Sequence, residues 1–199
     1  WLITGGCGFL GTALIKRLLK EKSSHNIRVI DNLSVGSRDD LVQVCDFDEK
    51  SPEILDDDFK GVELVVGDIL DESIALLATK GIDVIVHFAA NTGVGPSVEE
   101  PRFDCLTNVI GTFNYLDAAR LNNVPRFVFA SSGAPAGEVE PPIHEELPPH
   151  PVSPYGASKL AGEGYCSAYY KTFGVDTVAL RFGNVYGPGS IHKSSVVAK

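Results

Sequence analysis

The chain has no methionine, one tryptophan and only four cysteines in 199 residues. The missing methionine, with an opening on the apolar run Trp1-Leu2-Ile3, implies a native start upstream of Trp1 and a first strand short of a few residues. That opening lacks the layout of a signal peptide. The cysteines (Cys7, Cys45, Cys105, Cys166) make no CxxC pair and no cluster with histidine, so no metal site is expected. Four free thiols fit a reducing, cytoplasmic compartment. Basic residues are scarce: 17 Lys and Arg against 26 Asp and Glu give a formal charge of −9. A nucleic-acid partner would need a basic face to displace counterions, and none is expected. No apolar run is long enough to span a bilayer, which excludes a membrane-spanning helix.

What is present is an ordinary globular composition, 44% hydrophobic and 22% charged, in a length that suits one full domain and perhaps a fragment of a second. Short apolar runs at Trp1–Thr4, Ile27–Asp31, Val62–Val66, Val84–Phe88, Phe127–Ala130 and Thr177–Leu180 read as strands. Helical periodicity lies between them, most clearly at Phe9–Lys20, Phe103–Leu121 and Tyr155–Tyr170. In the second of these, Phe103, Leu106, Ile110, Phe113 and Leu116 recur at spacings of three and four, which predicts one buried face. Such alternation predicts an α/β fold, a doubly wound parallel sheet, because parallel strands need crossover helices. The strands read as continuous apolar runs, as when helices cover both sheet faces. Ser34–Phe59 is polar and acidic and reads as a short helix in a surface excursion. Pro141–Pro154 holds six of the twelve prolines and must run as a loop.

Thr4-Gly5-Gly6-Cys7-Gly8-Phe9-Leu10-Gly11 joins the first strand to the first helix, with glycines in either of two overlapping frames. Missing side chains let the backbone turn sharply and approach a pyrophosphate, whose charge suits the N–H groups of the helix start. A glycine triplet alone is weak evidence. The context adds to it: the second strand ends at Asp31, twenty residues after Gly11, where a carboxylate can accept from adenosine ribose hydroxyls. It would also repel a 2′-phosphate, favouring NAD over NADP. Asp68 in Gly67-Asp68-Ile69 can reach the adenine edge, or cap the following helix instead.

Tyr155-Gly156-Ala157-Ser158-Lys159 opens the last long helix behind Ser153 as N-cap and Pro154 at the first position. Residues four apart share a helix face, so the Lys159 ammonium can sit near the Tyr155 phenol and lower its pKa toward that of a general base. The preceding strand ends in Ala130-Ser131-Ser132-Gly133, placing the Ser132 hydroxyl at the carboxyl edge of the sheet, where open α/β sheets bind ligands. Ser132, Tyr155 and Lys159 make a coherent proton-transfer set.

With these residues in place, the chain resembles the extended short-chain dehydrogenase/reductase family, in its NAD-dependent nucleotide-sugar epimerase/dehydratase branch. Further landmarks are Asp31-Asn32-Leu33-Ser34 with Gly36, His87-Phe88-Ala89-Ala90, Asn108 with Gly111-Thr112, and Arg181-Phe182-Gly183-Asn184-Val185-Tyr186-Gly187-Pro188. The resemblance implies a Rossmann domain over 1–181 and, over 182–199, the beginning of a small substrate domain whose remainder is absent. It implies NAD held by Gly5, Gly8, Phe9, Leu10, Gly11, Asp31, Asn32, Asp68, Ile69, Phe88, Ala89, Ala90, Asn108, Tyr155 and Lys159. It implies catalysis by Ser132, Tyr155 and Lys159, and a nucleotide-sugar substrate touched by Ser132, Gly133, Tyr155 and Asn184. It further implies a homodimer formed by the helices at Phe103–Leu121 and Tyr155–Tyr170. His87 takes no catalytic role.

Two departures shape the expected reaction. Gly133-Ala134-Pro135 stands where 4,6-dehydratases of the family carry an acidic residue, and where decarboxylases tend to keep a glutamate. Ala136-Gly137 stands where Tyr-Gly is usual. The pattern left is that of an NAD-dependent epimerase acting on a nucleotide sugar, at C4, through a transient keto-sugar. A dehydratase, a net dehydrogenase or reductase of the same family, and a non-catalytic NAD-binding regulator are the alternatives.

Overall fold

A computed structural model describes residues 1–22 and 24–190. Seven strands form one parallel sheet: β1 (Leu2–Thr4), β2 (Ile27–Asp31), β3 (Asp48–Lys50), β4 (Val62–Val66), β5 (Val84–His87), β6 (Arg126–Ser132) and β7 (Asp176–Phe182). Their order across the sheet is β3-β4-β2-β1-β5-β6-β7. The helices are α1 (Phe9–Glu21), α2 (Arg38–Val42), α3 (Glu72–Ala78), α4 (Val94–Glu99), α5 (Pro101–Cys105), α6 (Gly111–Leu121) and α7 (Pro154–Phe173). This is the expected doubly wound α/β fold. From β1 the chain runs to β2, then to the edge at β3 and back to β4 between them, before crossing to build β5, β6 and β7 on the other side. The carboxyl ends of β1 and β5 therefore flank a crevice at the point of reversal.

Alternating residues of each strand feed two cores. Leu2, Ile30, Val65, Ile85, Phe127 and Phe129 pack beneath α3, α6 and α7. Ile3, Val29, Leu64 and Val86 pack beneath α1, against Ile15 and Leu18. The buried Arg28 guanidinium ties β2 to β4 through Glu63 and to the end of α3 through the Ala78 carbonyl (2.9 Å). Coverage of the sheet is less complete than its apolar strands predict. On β7, Val178 and Leu180 are 43% and 41% exposed. The β7 flank leaves them uncovered among the described residues.

The expected helix over Phe103–Leu121 is two helices joined by a π-helical turn, Leu106–Ile110. The apolar stripe that sequence periodicity would bury is largely on the surface: Phe103 is 50%, Leu106 38% and Ile110 43% exposed, while Leu116 is fully buried. Asp104, Asn108 and Thr112 take the inward positions instead. Their hydrogen bonds fix the rotation of the segment more firmly than its apolar residues do, and the wide turn absorbs the shift in register. β3 is likewise unanticipated. It is a three-residue, charged edge strand inside the stretch read as a surface excursion.

α7 begins as expected. The Ser153 hydroxyl accepts from the Gly156 N–H (3.1 Å), Pro154 takes the first turn, and Gly174 ends the helix at φ +75°. Replacing Ser153 with Ala removes that cap at a cost of about 1 kcal/mol. The expected thermal-melt Tm is lower by about 2–4 °C, and an unchanged Tm would contradict the capping role.

Candidate active site

The site is built from strand ends. β1 stops at Thr4, and Gly5 turns with φ +67°, a conformation costly for any residue bearing a Cβ. A Cβ there would also lie 2.8 Å from the Ala89 nitrogen, so the loop after β1 and the end of β5 approach backbone to backbone. Gly8 leads into α1 with no capping side chain and no acid in the first turn, leaving a helix start suited to an anion. Gly11 seats α1 on the loop: a Cβ would fall 2.4 Å from the Gly6 Cα. Gly5 and Gly8 face the crevice, with Gly11 seating α1 behind them. Gly6 instead packs on Val29, away from the crevice.

Asp31 serves this loop. Its carboxylate accepts from the Cys7 N–H and the Leu33 N–H (both 2.9 Å), which holds the glycine loop against the end of β2. Burial pushes its carboxyl above the usual range, against the pull of those two N–H groups. Asn32 donates to Asp68 (3.1 Å), linking the ends of β2 and β4. Asp68 does not cap α3; Asp71 does, accepting from the Ser73 and Ile74 N–H groups.

These groups line a cavity of about 490 Å³. Of the residues assigned to a cofactor from sequence, Gly5, Gly8, Phe9, Leu10, Asp31, Asn32, Asp68, Ile69, Phe88, Ala89 and Ala90 line it. Gly11 and Asn108 stand behind the wall, and Tyr155 and Lys159, also assigned to the cofactor, are not among its lining residues. Asn108 is 1% exposed; its amide accepts from the Asn91 N–H (2.8 Å) and donates to the Asn91 carbonyl (2.9 Å) and to Ser158 (3.1 Å). It braces the wall and does not face the space. Sequence reasoning missed Asn91 and Thr107, which line the cavity and carry buried polar atoms with no protein partner, Asn91 Nδ2 and Thr107 Oγ1. Only the position of Asn91, next to the Ala89-Ala90 strand end, hinted at this.

The Ser132, Tyr155 and Lys159 side chains come together at the same carboxyl edge. Ser132 ends β6, beside β5, and its side chain is hydrogen-bonded to the Tyr155 phenol. The Lys159 Nζ lies 5.8 Å from the Tyr155 ring centroid, 5.0 Å from that of Phe129, and donates to the Ala130 carbonyl (2.9 Å). One expectation needs correction. Burial pushes the phenol above its ordinary pKa, partly opposed by the Ser132 hydrogen bond and reinforced by Asp104. The anticipated lowering by Lys159 is not among the influences on the phenol, whose desolvation comes first. Burial also lowers the Lys159 ammonium to about 8, with Asp104 opposing. His87 is a buried brace between Thr4 (2.9 Å) and Thr112 (3.2 Å), held neutral at a pKa of about 3 by burial.

Gly133 donates to the Phe182 carbonyl (2.9 Å), which brings the segment after Ser132 alongside the end of β7. Asn184 follows β7 and is exposed. Of the span 182–199, residues 191–199 lie outside the described residues. No group of three or more His, Cys, Asp or Glu side chains among the described residues could hold a metal ion, and no described helix is long and apolar enough to cross a membrane.

The family model described as the NAD dependent epimerase/dehydratase family matches residues 1–199. A UDP-glucose 4-epimerase of Mycolicibacterium smegmatis is 37% identical over 190 residues, covering 94% of this chain and 56% of that protein. A crystal structure of the UDP-glucose 4-epimerase of Thermus thermophilus in complex with NAD superposes at a TM-score of 0.80, with 37% identity over 94% of this chain and 56% of the other. A dTDP-glucose 4,6-dehydratase of Streptomyces venezuelae with NAD bound superposes at 0.82, with 33% identity over the same shares. The chain thus spans little more than half the length of these relatives. Since the family match runs from the first residue to the last and the folds agree at a third or more identity, the chain belongs to the NAD-dependent epimerase/dehydratase family.

Proposed function

We propose that this chain binds NAD and epimerises a nucleotide sugar at C4. The observation that carries this reading is the meeting of the Ser132 and Tyr155 hydroxyls, with Lys159 buried behind them, at the sheet edge that also opens the glycine-loop cavity. The cavity suits NAD on its own features: an uncapped helix start for the pyrophosphate and Asp31 for the ribose hydroxyls. Bound NAD would supply an acceptor and donor of hydride. Tyr155 takes the proton of the sugar hydroxyl and returns it on the reverse step. Ser132 shares that proton through its hydrogen bond, and the Lys159 ammonium offsets the charge that develops on the phenol oxygen. In this reading Gly133 and Asn184 would contact the nucleotide sugar. Residues 1–181 form the dinucleotide-binding domain in this reading, and 182–199 begin the substrate region.

Epimerisation is favoured over dehydration because the chain reads Gly133-Ala134-Pro135 after the active-site serine. Elimination of water across two sugar carbons needs an acid and base there, and no carboxylate is supplied by these three residues. The exposed stripe of Phe103, Leu106 and Ile110, with Tyr165 on α7, fits a homodimer in which a second copy covers it. Four free cysteines fit a cytoplasmic setting.

Incubation with NAD and a panel of UDP-, dTDP-, GDP- and ADP-sugars tests the reading. The expected product is the C4 epimer, with no net NADH released. A 4-keto-6-deoxy product would make the chain a dehydratase. Stoichiometric free NADH would make it a dehydrogenase. NAD binding with no turnover of any sugar would leave a dinucleotide-binding regulator.

A further inference from the structure

The chain that follows β7 does not leave the site; it returns to the glycine loop. β7 ends at Phe182, at one edge of the sheet, with β6 and β5 between it and β1. The Gly133 N–H donates to the Phe182 carbonyl (2.9 Å), which fixes the start of this segment beside Ser132. By Gly187 the segment has reached Phe9, the first residue of α1. A Cβ at Gly187 would lie 3.9 Å from Phe9 Cζ, and one at Gly189 would lie 3.6 Å from Phe9 Cδ2, so both glycines rest against that ring. Three strand spacings amount to about 14 Å, and the steps from Phe182 to Gly187 can span at most about 18 Å. The segment therefore has little slack and runs along the carboxyl edge of the sheet, past the ends of β6 and β5.

Its far end is shaped as a turn. The Ser190 N–H donates to the Gly187 carbonyl (3.1 Å), and Ser190 is buried. Gly189, at φ +90°, holds a conformation that a residue with a Cβ adopts only under strain. The ring under this turn belongs to the dinucleotide site: Phe9 lines the cavity and opens the helix start suited to the pyrophosphate. The segment is thus fastened at both ends, beside Ser132 at one and on a wall residue of the cavity at the other. Without the turn, the Phe9 ring at the rim would have other rotamers open to it.

We propose that residues 183–190 form a strap whose closing turn, latched on Phe9, slows the release of NAD from the cavity. A cofactor restored in every cycle has no need to leave, and a latch made by the chain itself keeps it in place. The proposal rests on the reading of the cavity as the NAD site and is independent of which sugar reacts.

The test is the dissociation rate of NAD, read by chasing radiolabelled NAD from the loaded protein with excess unlabelled NAD and no sugar present. Gly189→Ala puts a Cβ at φ +90° and lifts the turn, so NAD is expected to leave roughly fivefold faster or more. Gly183→Ala is the control within the same strap. No atom lies within 4 Å of a Cβ there and its φ is not positive, so its rate should match that of the unaltered protein. Phe9→Ala removes the latch from the other side and should also speed release. If the turn acts through the ring, adding Gly189→Ala to Phe9→Ala changes the rate no further. An unchanged rate in folded Gly189→Ala, with or without a lower Tm, overturns the proposal. So do effects of the two substitutions that simply multiply. Should Gly189→Ala not fold, Gly187→Ala, also at positive φ, is judged by the same rate. Release is followed without substrate, so failure of every nucleotide sugar to react would defeat the epimerase reading while the rates still decide on the strap.

Discussion

Replacing Tyr155 with Phe is expected to lower turnover by about two to four orders of magnitude, the usual contribution of a positioned acid–base group. The change removes one oxygen, the one hydrogen-bonded to Ser132, and leaves the ring beside Lys159. Tyr155 is not among the residues lining the glycine-loop cavity, so NAD affinity should stay within a few-fold of the unaltered value. A calorimetric titration with NAD alongside steady-state rates separates the two effects. Near-normal turnover in Tyr155→Phe would remove the phenol from the mechanism. A parallel loss of NAD binding would mean that the ring, rather than its hydroxyl, was the important part.

The second large effect is expected at Gly11. A single methyl there meets backbone on three sides: the Gly6 Cα at 2.4 Å, the Gly5 carbonyl oxygen at 2.5 Å and the Gly6 carbonyl oxygen at 2.6 Å. No side chain can swing aside, so α1 must move off the loop. Gly11→Ala is expected to destabilise the fold by about 1–3 kcal/mol, as overpacking does, and to weaken dinucleotide binding on the order of a hundredfold by displacing the helix start from the pyrophosphate. Gly164 is the control. It lies within α7, exposed, with nothing within 4 Å of a built Cβ. The same substitution there should stabilise by about 0.5–1 kcal/mol through helix propensity. Opposite signs for one chemical change would show that the close approach at Gly11 is responsible. Unchanged NAD affinity in Gly11→Ala would contradict that account.

The parts of this architecture that sequence reveals are those set by local rules. Gly5, Gly8, Gly11 and Asp31 are recognisable because a strand, a tight turn and a helix start must follow each other at fixed spacing, with the acid at the next strand end. Tyr155 and Lys159 are recognisable because one helical turn separates them behind a capping serine and a proline. What sequence conceals is decided by partners distant in the chain. β3 is a strand only because β4 offers it an edge, and its three charged residues carry no strand signal. Along residues 103–116 the apolar spacing points to one face, yet Asp104 and Asn108 turn another face inward. Their hydrogen bonds reach Asn91 and Ser158, 17 and 50 positions away from Asn108. The phenol's environment was hidden for the same reason: spacing places Lys159 beside it, but only the fold shows Asp104 and the extent of burial that raise its pKa together.

The most direct test of the central claim uses a nucleotide sugar deuterated at C4, incubated with the NAD-bound protein in ordinary water. If the C4–H bond is broken and remade on the opposite face without exchange with solvent, the epimeric product keeps its deuterium at C4 and no reduced cofactor accumulates. Product carrying solvent hydrogen at C4, or labelled cofactor released in step with substrate consumed, would contradict it.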